Sequence, residues 1–171
     1  MSAKFQVLPS GLGRAAFVDR FGSIYEHSPW IAERVWDGGL APEHNVIDTL
    51  AEAMSEILNG ADDDAKLALI RAHPDLAGKA AIRGELTDAS TSEQAGAGLD
   101  QCTPDEFTRF QDLNAAYTEK FGFPFILAVK GKGRAEILKA FETRISNTPA
   151  EEFRTAIEQI HRIARLRLAD L

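Results

Sequence analysis

The sequence predicts an all-α fold: a single domain over residues 1–171, built as a bundle of about eight to nine helices with one extended apolar segment near 121–131. Apolar residues recur at helical spacing along most of the chain. Serine or threonine followed by proline marks several helix starts, and glycine follows several expected helix ends. Because 44% of the residues are hydrophobic and no Pro/Gly/Ser-rich linker interrupts the chain, we expect one core.

These signals place the helices in chain order. Apolar spacing predicts helices over residues 17–25 and 46–58, and a shorter helix between Ser28-Pro29 and Gly38-Gly39. Further along, Thr103-Pro104-Asp105-Glu106 and Thr148-Pro149-Ala150-Glu151 each place proline at the first helical position and glutamate where a capping box needs it. Each of these two segments is therefore expected to begin a helix.

The segment FGFPFILAVKG at 121–131 does not fit the helical pattern. Gly122 and Pro124 interrupt an aromatic and aliphatic run that is too short for a stable helix. We expect a buried extended segment whose backbone N–H and C=O groups need partners from elsewhere. A bound ligand could be one of those partners.

His73 lies in the segment RAHPDLAGK, directly before Pro74. Proline biases the preceding residue away from helical dihedrals and itself suits the first turn of a helix. His73 is then expected at or beside the N-cap of a new helix, where the helix dipole disfavours a protonated imidazole. The alternative is an ordinary capping or core histidine.

Ser90-Thr91-Ser92-Glu93 has the form of a capping box, which predicts a helix start near Ser90. On that interpretation Ser90 and Glu93 only complete the helix start. Gln94 would bring an amide to the same helix end, where backbone donors can bind an anion or a carbonyl group. Both alternatives stay open at this stage.

Arg167 faces the core side of the last helix by angular arithmetic. At about 100° per residue, Arg167 falls within about 40° of Phe153, whereas Arg162 and Arg165 point away from it. A buried guanidinium needs an anion or acceptor groups. It is either half of a structural ion pair or an anchor for an anionic or carbonyl-rich ligand.

Composition and motifs exclude several classes of function. The net charge of −7 argues against nucleic acid or an anionic membrane as partner. The histidines lack metal-ligand spacing, and the single cysteine, Cys102, cannot form a thiolate site, so we expect no metal. No cofactor or phosphate-loop motif is present, so we expect no cofactor. Without a signal core or a long apolar run, we expect a cytoplasmic protein whose partner is a small molecule.

Five fragments together resemble one family: YEHSPWIAERVW at 25–36, HPDLAGK at 73–79, LTDASTSEQAGAGL at 86–99, LNAAYTEKFGFPFILAVKG at 113–131 and the terminal RLRLADL. The family is 2-oxo-4-hydroxy-4-carboxy-5-ureidoimidazoline (OHCU) decarboxylase. The resemblance implies an all-helical enzyme that works without metal or organic cofactor. It would produce (S)-allantoin and carbon dioxide in the last step of urate degradation to allantoin, often as a homodimer.

The resemblance also implies site residues. His73 matches the catalytic histidine, expected to be a general acid/base, with Glu93 and Arg167 as the other catalytic positions. The substrate-binding positions fall on Pro74, Ser90, Gln94, Gly122, Phe123, Pro124, Phe125 and Ile126. The alternatives are a catalytically inert helical ligand-binding or adaptor module, and a decarboxylase for a related cyclic ureide acid.

Overall fold

The computed structural model describes residues 3–171, whose secondary structure is almost entirely helical, which confirms the predicted fold class. Its α-helices are α1 (Arg14–Phe21), α2 (Trp30–Asp37), α3 (Ile47–Asn59), α4 (Asp63–Ala72), α5 (Lys79–Ile82), α6 (Asp88–Gly96), α7 (Pro104–Phe121), α8 (Arg134–Arg144) and α9 (Pro149–Ala169). Short 3-10 helices cover Pro9–Gly11, Pro42–Asn45 and Leu99–Gln101. Within the described residues, β pairing is limited to one isolated bridge between Lys4 and Val46.

The chain divides into two compact units. The first contains the described residues up to Leu69 together with His161–Leu171, and the second contains Ile70–Ile160. The prediction of one domain over 1–171 therefore stays a prediction.

The first unit is built around α1, α2 and α3, which pack against one another in chain order. Helix α3 shows why the sequence folds this way, because Leu50, Met54 and Leu58 recur every four residues and are almost completely buried. Phe17 and Phe21 of α1 are also fully buried, with ring centroids 4.8 Å apart.

The second unit centres on α7, whose ends match the sequence signals. Thr103 and Glu106 form the predicted capping box, and Gly122 ends the helix in the left-handed conformation at φ 76°. Tyr117 of α7 is fully buried, and its ring contacts Phe121, Phe123, Phe125 and Phe141. This aromatic cluster holds the non-helical segment that follows α7 against α7 and α8.

The capping box predicted at the start of the last helix is also present. Thr148 N donates to Glu151, and Glu151 N donates to the Thr148 hydroxyl.

No helix among residues 3–171 combines the length and apolar character needed to cross a membrane.

Candidate active site

His73 lies in a short buried loop between α4 and α5. Helix α4 ends at Ala72, and α5 begins only at Lys79, with Gly78 at its N-cap. The prediction that Pro74 begins a helix is therefore wrong, and so is the prediction that the positive end of such a helix lies beside the His73 imidazole. The imidazole is nevertheless well shielded, since His73 is 8% exposed.

The loop turns sharply after Asp75, which explains why no helix starts at Pro74. Ala77 has φ 50°, a left-handed conformation that is uncommon for a residue other than glycine. At Gly78 an added Cβ would lie 2.7 Å from the Asp75 Cβ, so a side chain does not fit there. The chain thus folds back on itself within HPDLAG before α5 begins.

Side-chain amides from α6 and α7 hold the backbone of this loop. Gln94 Nε2 donates to the Asp75 carbonyl at 3.1 Å, and Gln94 Oε1 accepts from Ala77 N at 3.0 Å. Asn114 Nδ2 donates to the Leu76 carbonyl at 2.9 Å, and Gln111 Nε2 donates to the Ala77 carbonyl at 2.7 Å. Neither Asn114 nor Gln111 was identified from the sequence as a site residue.

A cavity of about 390 Å³ brings part of the predicted site together. Its walls include five of the predicted residues, from the two motifs HPDLAGK and GFPFI: His73, Pro74, Gly122, Phe123 and Pro124. The remaining lining residues are Arg71, Asp75 and Thr118. Two segments nearly fifty residues apart in the sequence thus line one cavity, open to solvent, beside the buried imidazole.

Arg71 and Asp75 add polar groups that the sequence interpretation missed, although both lie within two residues of His73. Arg71 Nε donates to the Gly122 carbonyl at 3.0 Å and so links the end of α4 to the start of the GFPFI segment. Burial raises the pKa of the Asp75 carboxyl group. The cavity therefore combines a guanidinium, a carboxyl group and an imidazole with apolar walls.

Ser90 and Gln94 lie one turn apart on the buried face of α6, at 4% and 5% exposure. Helix α6 begins at Asp88, and its N-cap is Thr87, whose hydroxyl accepts from Ser90 N at 3.2 Å. The interpretation of Ser90 and Glu93 as a capping box is therefore wrong. Glu93 is partly buried and lies beside Gln94 in the second turn of the helix.

The segment after Phe121 is non-helical and largely buried as far as Val129, as predicted, and side chains of α8 and α9 satisfy part of its backbone. Arg144 donates to the Ile126 carbonyl at 2.6 Å, and Ala128 N donates to Gln159 Oε1 at 3.0 Å. Phe125 stacks on Phe141, with ring centroids 3.9 Å apart. Phe125 and Ile126 thus lie in the interior of the second unit, whereas Phe123 and Pro124 line the cavity.

A fully buried carboxylate supports Arg144 in this position. Glu152 of α9 pairs with Arg144 Nε at 2.9 Å and accepts from the Tyr117 hydroxyl at 2.7 Å. Burial, reinforced by Glu152, raises the pKa of Tyr117, so this hydroxyl is a donor across the physiological range.

Arg167 belongs to the first unit and is 8% exposed, as the angular arithmetic predicts. Its Nη1 atom lies 2.9 Å from a carboxylate oxygen of Glu26, which is 2% exposed, and 3.3 Å from the Ile24 carbonyl. The ion-pair alternative for Arg167 is thus present in the structure. The role of Arg167 toward a substrate stays a prediction.

Among residues 3–171, no group of three or more His, Cys, Asp or Glu side chains is arranged to hold a metal ion. His161 bridges the Tyr25 hydroxyl and the Asn59 side chain at 2.9 Å each.

Comparison with known proteins places the chain in a family. The family model described as OHCU decarboxylase matches residues 10–169. The 2-oxo-4-hydroxy-4-carboxy-5-ureidoimidazoline decarboxylase of Haloferax volcanii is 45% identical over 155 residues, covering 91% of this chain and 88% of that protein. The protein of the same name from Mus musculus is 38% identical, covering 91% and 85%.

Solved structures agree with the sequence comparison. A crystal structure of (S)-allantoin synthase has a TM-score of 0.72 and 36% identity, over 95% of this chain and 52% of that one, so this chain spans about half of its length. A crystal structure of an OHCU decarboxylase in the presence of (S)-allantoin has a TM-score of 0.68 at 22% identity, over 93% and 97%, and shows the shared fold. The family match along nearly the whole chain, joined to relatives well above 30% identity, shows that this protein belongs to the OHCU decarboxylase family.

Proposed function

We propose that this protein decarboxylates 2-oxo-4-hydroxy-4-carboxy-5-ureidoimidazoline to (S)-allantoin and carbon dioxide, the last step of urate degradation to allantoin. Family membership supports this reaction. The structural observation that carries it is the buried His73 imidazole in the wall of a cavity that HPDLAGK and GFPFI line together.

The substrate supplies its own electron sink. When the bond to the carboxylate breaks, its electron pair moves toward the neighbouring ring C=N bond, and that nitrogen takes up a proton. The resulting enol becomes a carbonyl as its hydroxyl proton leaves and the carbon that bears the ureido group accepts a proton. The protein then has to move protons, orient the ring and exclude water.

His73 is proposed to take the hydroxyl proton of the substrate, or to hold it by a hydrogen bond, while carbon dioxide leaves. General acid/base assistance of this kind is typically worth about 10²- to 10⁴-fold. The apolar walls formed by Pro74, Phe123 and Pro124 favour neutral carbon dioxide over the carboxylate.

The other predicted residues have proposed roles in binding and stereochemistry. Glu93 orients the imidazole or binds ureido N–H groups, whereas Ser90, Gln94 and Arg167 bind polar atoms of the ring and the ureido group. Phe125 and Ile126 support the wall behind the ring. If the ring is held with one face exposed, its carbon receives the proton from one side, and one enantiomer forms.

The decisive experiment generates the unstable substrate from urate in situ and follows (S)-allantoin by circular dichroism. The wild-type chain should produce an excess of the S enantiomer above the spontaneous rate, and His73→Asn should not. His44→Asn is the matched control, because His44 lies in the 3-10 helix Pro42–Asn45 of the first unit. A racemic product at the spontaneous rate from the wild-type chain would contradict the proposed activity and favour an inert binding module.

The proposal also includes the oligomeric state, the cellular location and the number of domains. We expect a homodimer, which light scattering after size exclusion tests, and a cytoplasmic location, which fits the single cysteine. We also expect residues 1–171 to behave as one domain. A single calorimetric unfolding transition whose calorimetric and van't Hoff enthalpies agree would support that expectation.

A further inference from the structure

The loop that carries His73 depends on side chains for its backbone hydrogen bonds. Leu76 and Ala77 are 7% and 4% exposed, so their polar backbone groups are shielded from water. Buried backbone groups outside helices and strands need other partners. Gln94, Asn114 and Gln111 supply those partners through the four bonds to residues 75–77 described above.

We propose that Gln111 and Asn114 are positioning residues for the reaction: by holding the carbonyl groups of Leu76 and Ala77, they fix the His73 imidazole in the cavity. This inference rests on the proposed function and adds two residues to it. Neither side chain lines the cavity, so both act through the loop.

Helix α7 presents the two amides as a matched pair. Gln111 and Asn114 are three residues apart and therefore lie on the same face of α7. They reach consecutive carbonyl groups of the loop, at 2.7 and 2.9 Å. Two donors fixed to one rigid helix define both the distance and the rotation of the loop relative to that helix.

The backbone conformation of the loop transmits this constraint to His73. Ala77 adopts φ 50°, which a residue with a side chain keeps only where its surroundings hold it. Pro74, between His73 and the held residues, has a ring that fixes its own φ and removes one freedom of rotation from the connection. Small displacements at residues 76 and 77 therefore reach the imidazole.

The asparagine at position 114 supplies a donor to the loop at a cost to its own acceptor. Asn114 is 6% exposed, and its Oδ1 atom is buried with no hydrogen-bond partner among the described residues. A buried acceptor without a partner is unfavourable, and a leucine of similar shape would avoid that loss. What the leucine could not do is donate to the Leu76 carbonyl.

The experiment compares donors with non-donors at both positions, in the full chain. Gln111→Lys keeps an N–H donor, whereas Gln111→Met and Gln111→Glu remove it at similar length. Asn114→Leu removes the second donor. Gln101→Glu is the control for charge, since Gln101 is exposed and lies outside the loop and the cavity. Each variant is measured for kcat, KM, melting temperature and the NMR signals of the His73 ring nitrogens.

We expect kcat to fall about ten- to hundred-fold in Asn114→Leu and about three- to ten-fold in Gln111→Met and Gln111→Glu, with KM changed less. Gln111→Lys should retain most of the wild-type kcat, and Gln101→Glu all of it. The His73 ring signals should shift in every non-donor variant that folds. Should Asn114→Leu fail to fold, the half-buried Gln111 series still decides the question.

Wild-type kcat and unshifted His73 signals in folded Gln111→Met would overturn the inference, as would equal losses in Gln111→Lys and Gln111→Met. A lower melting temperature with an unchanged kcat would assign the two amides to stability alone. The proposed function fails separately, because an inactive wild-type chain is detected before any variant is compared.

Discussion

Glu152→Gln should destabilise the protein strongly, because it removes the carboxylate that pairs with the buried guanidinium of Arg144. Glu152 is fully buried, and the Arg144 side chain is 12% exposed. One nitrogen of Arg144, Nη2, already has no hydrogen-bond partner among residues 3–171. In the variant the new amide can still accept from Tyr117, but the charge of Arg144 is no longer neutralised.

The magnitude follows from the burial of the pair. Removing one partner of a buried ion pair costs about 3 to 5 kcal/mol of unfolding free energy. In a chain of this length each kcal/mol lowers the melting temperature by about 2 to 4 °C, so a decrease of about 6 to 20 °C is expected. Urea unfolding and calorimetry measure the two quantities.

Glu142→Gln is the matched control. Glu142 pairs with Arg109 on the surface, where the two side chains are 48% and 51% exposed, and such a pair contributes about 0 to 1 kcal/mol. A Glu152→Gln variant that unfolds within 1 kcal/mol of the wild type, like the control, would refute the reasoning. The activity of Glu152→Gln should also fall, because Arg144 holds the Ile126 carbonyl behind the cavity wall.

Three further changes have defined outcomes. Gly78→Ala should lower both the melting temperature and kcat, because its Cβ would lie 2.7 Å from the Asp75 Cβ; a wild-type melting curve would contradict this. Asp75→Asn should stabilise the protein at pH 7. Burial raises the pKa of Asp75 in the folded state, so its ionisation costs stability above the ordinary pKa of 3.8, and urea unfolding should show the gain disappearing as the pH falls below that value. Cys102 should react with iodoacetamide at pH 8 more slowly than free cysteine, because burial and then the nearby Glu106 raise the pKa of its thiol; an equal rate would contradict this.

Local signals in the sequence were sufficient for most of the fold. The capping boxes at Thr103 and Thr148 and the glycine after Phe121 involve residues that are close in the chain, and the structure contains all three. The absence of a helix in the GFPFI segment was also predictable, because Gly122 and Pro124 both disfavour a helix there.

Two local predictions, the helix starts at Ser90 and at Pro74, failed for different reasons. Thr87 caps α6 three residues before Ser90, and the sequence does not rank one hydroxyl above the other. Pro74 could have begun a helix, but the amide bonds to residues 75–77 stabilise a turn in its place. The side chains that form these bonds belong to α6 and α7, so the sequence around Pro74 does not reveal them.

The buried charges could be predicted only in part. Helical geometry placed Arg167 on the core side, but its partner Glu26 lies more than a hundred residues earlier, outside any helix. Glu152 looks like an ordinary acidic residue in the first turn of a helix, although it is fully buried. Such pairings are tertiary contacts, and no pattern within one helix identifies the partner.

The discontinuity of the first unit has a consequence for synthesis on the ribosome. Residues 70–160 are continuous in the sequence, so the second unit can form its internal contacts as soon as this stretch has left the exit tunnel. The first unit also needs His161–Leu171. Glu26 leaves the ribosome well before its cation, Arg167, which lies more than a hundred residues later in the chain. Until Arg167 has emerged, this carboxylate therefore has to remain hydrated, and helices α1 to α3 reach their final state only after residues 161–171 have been synthesised.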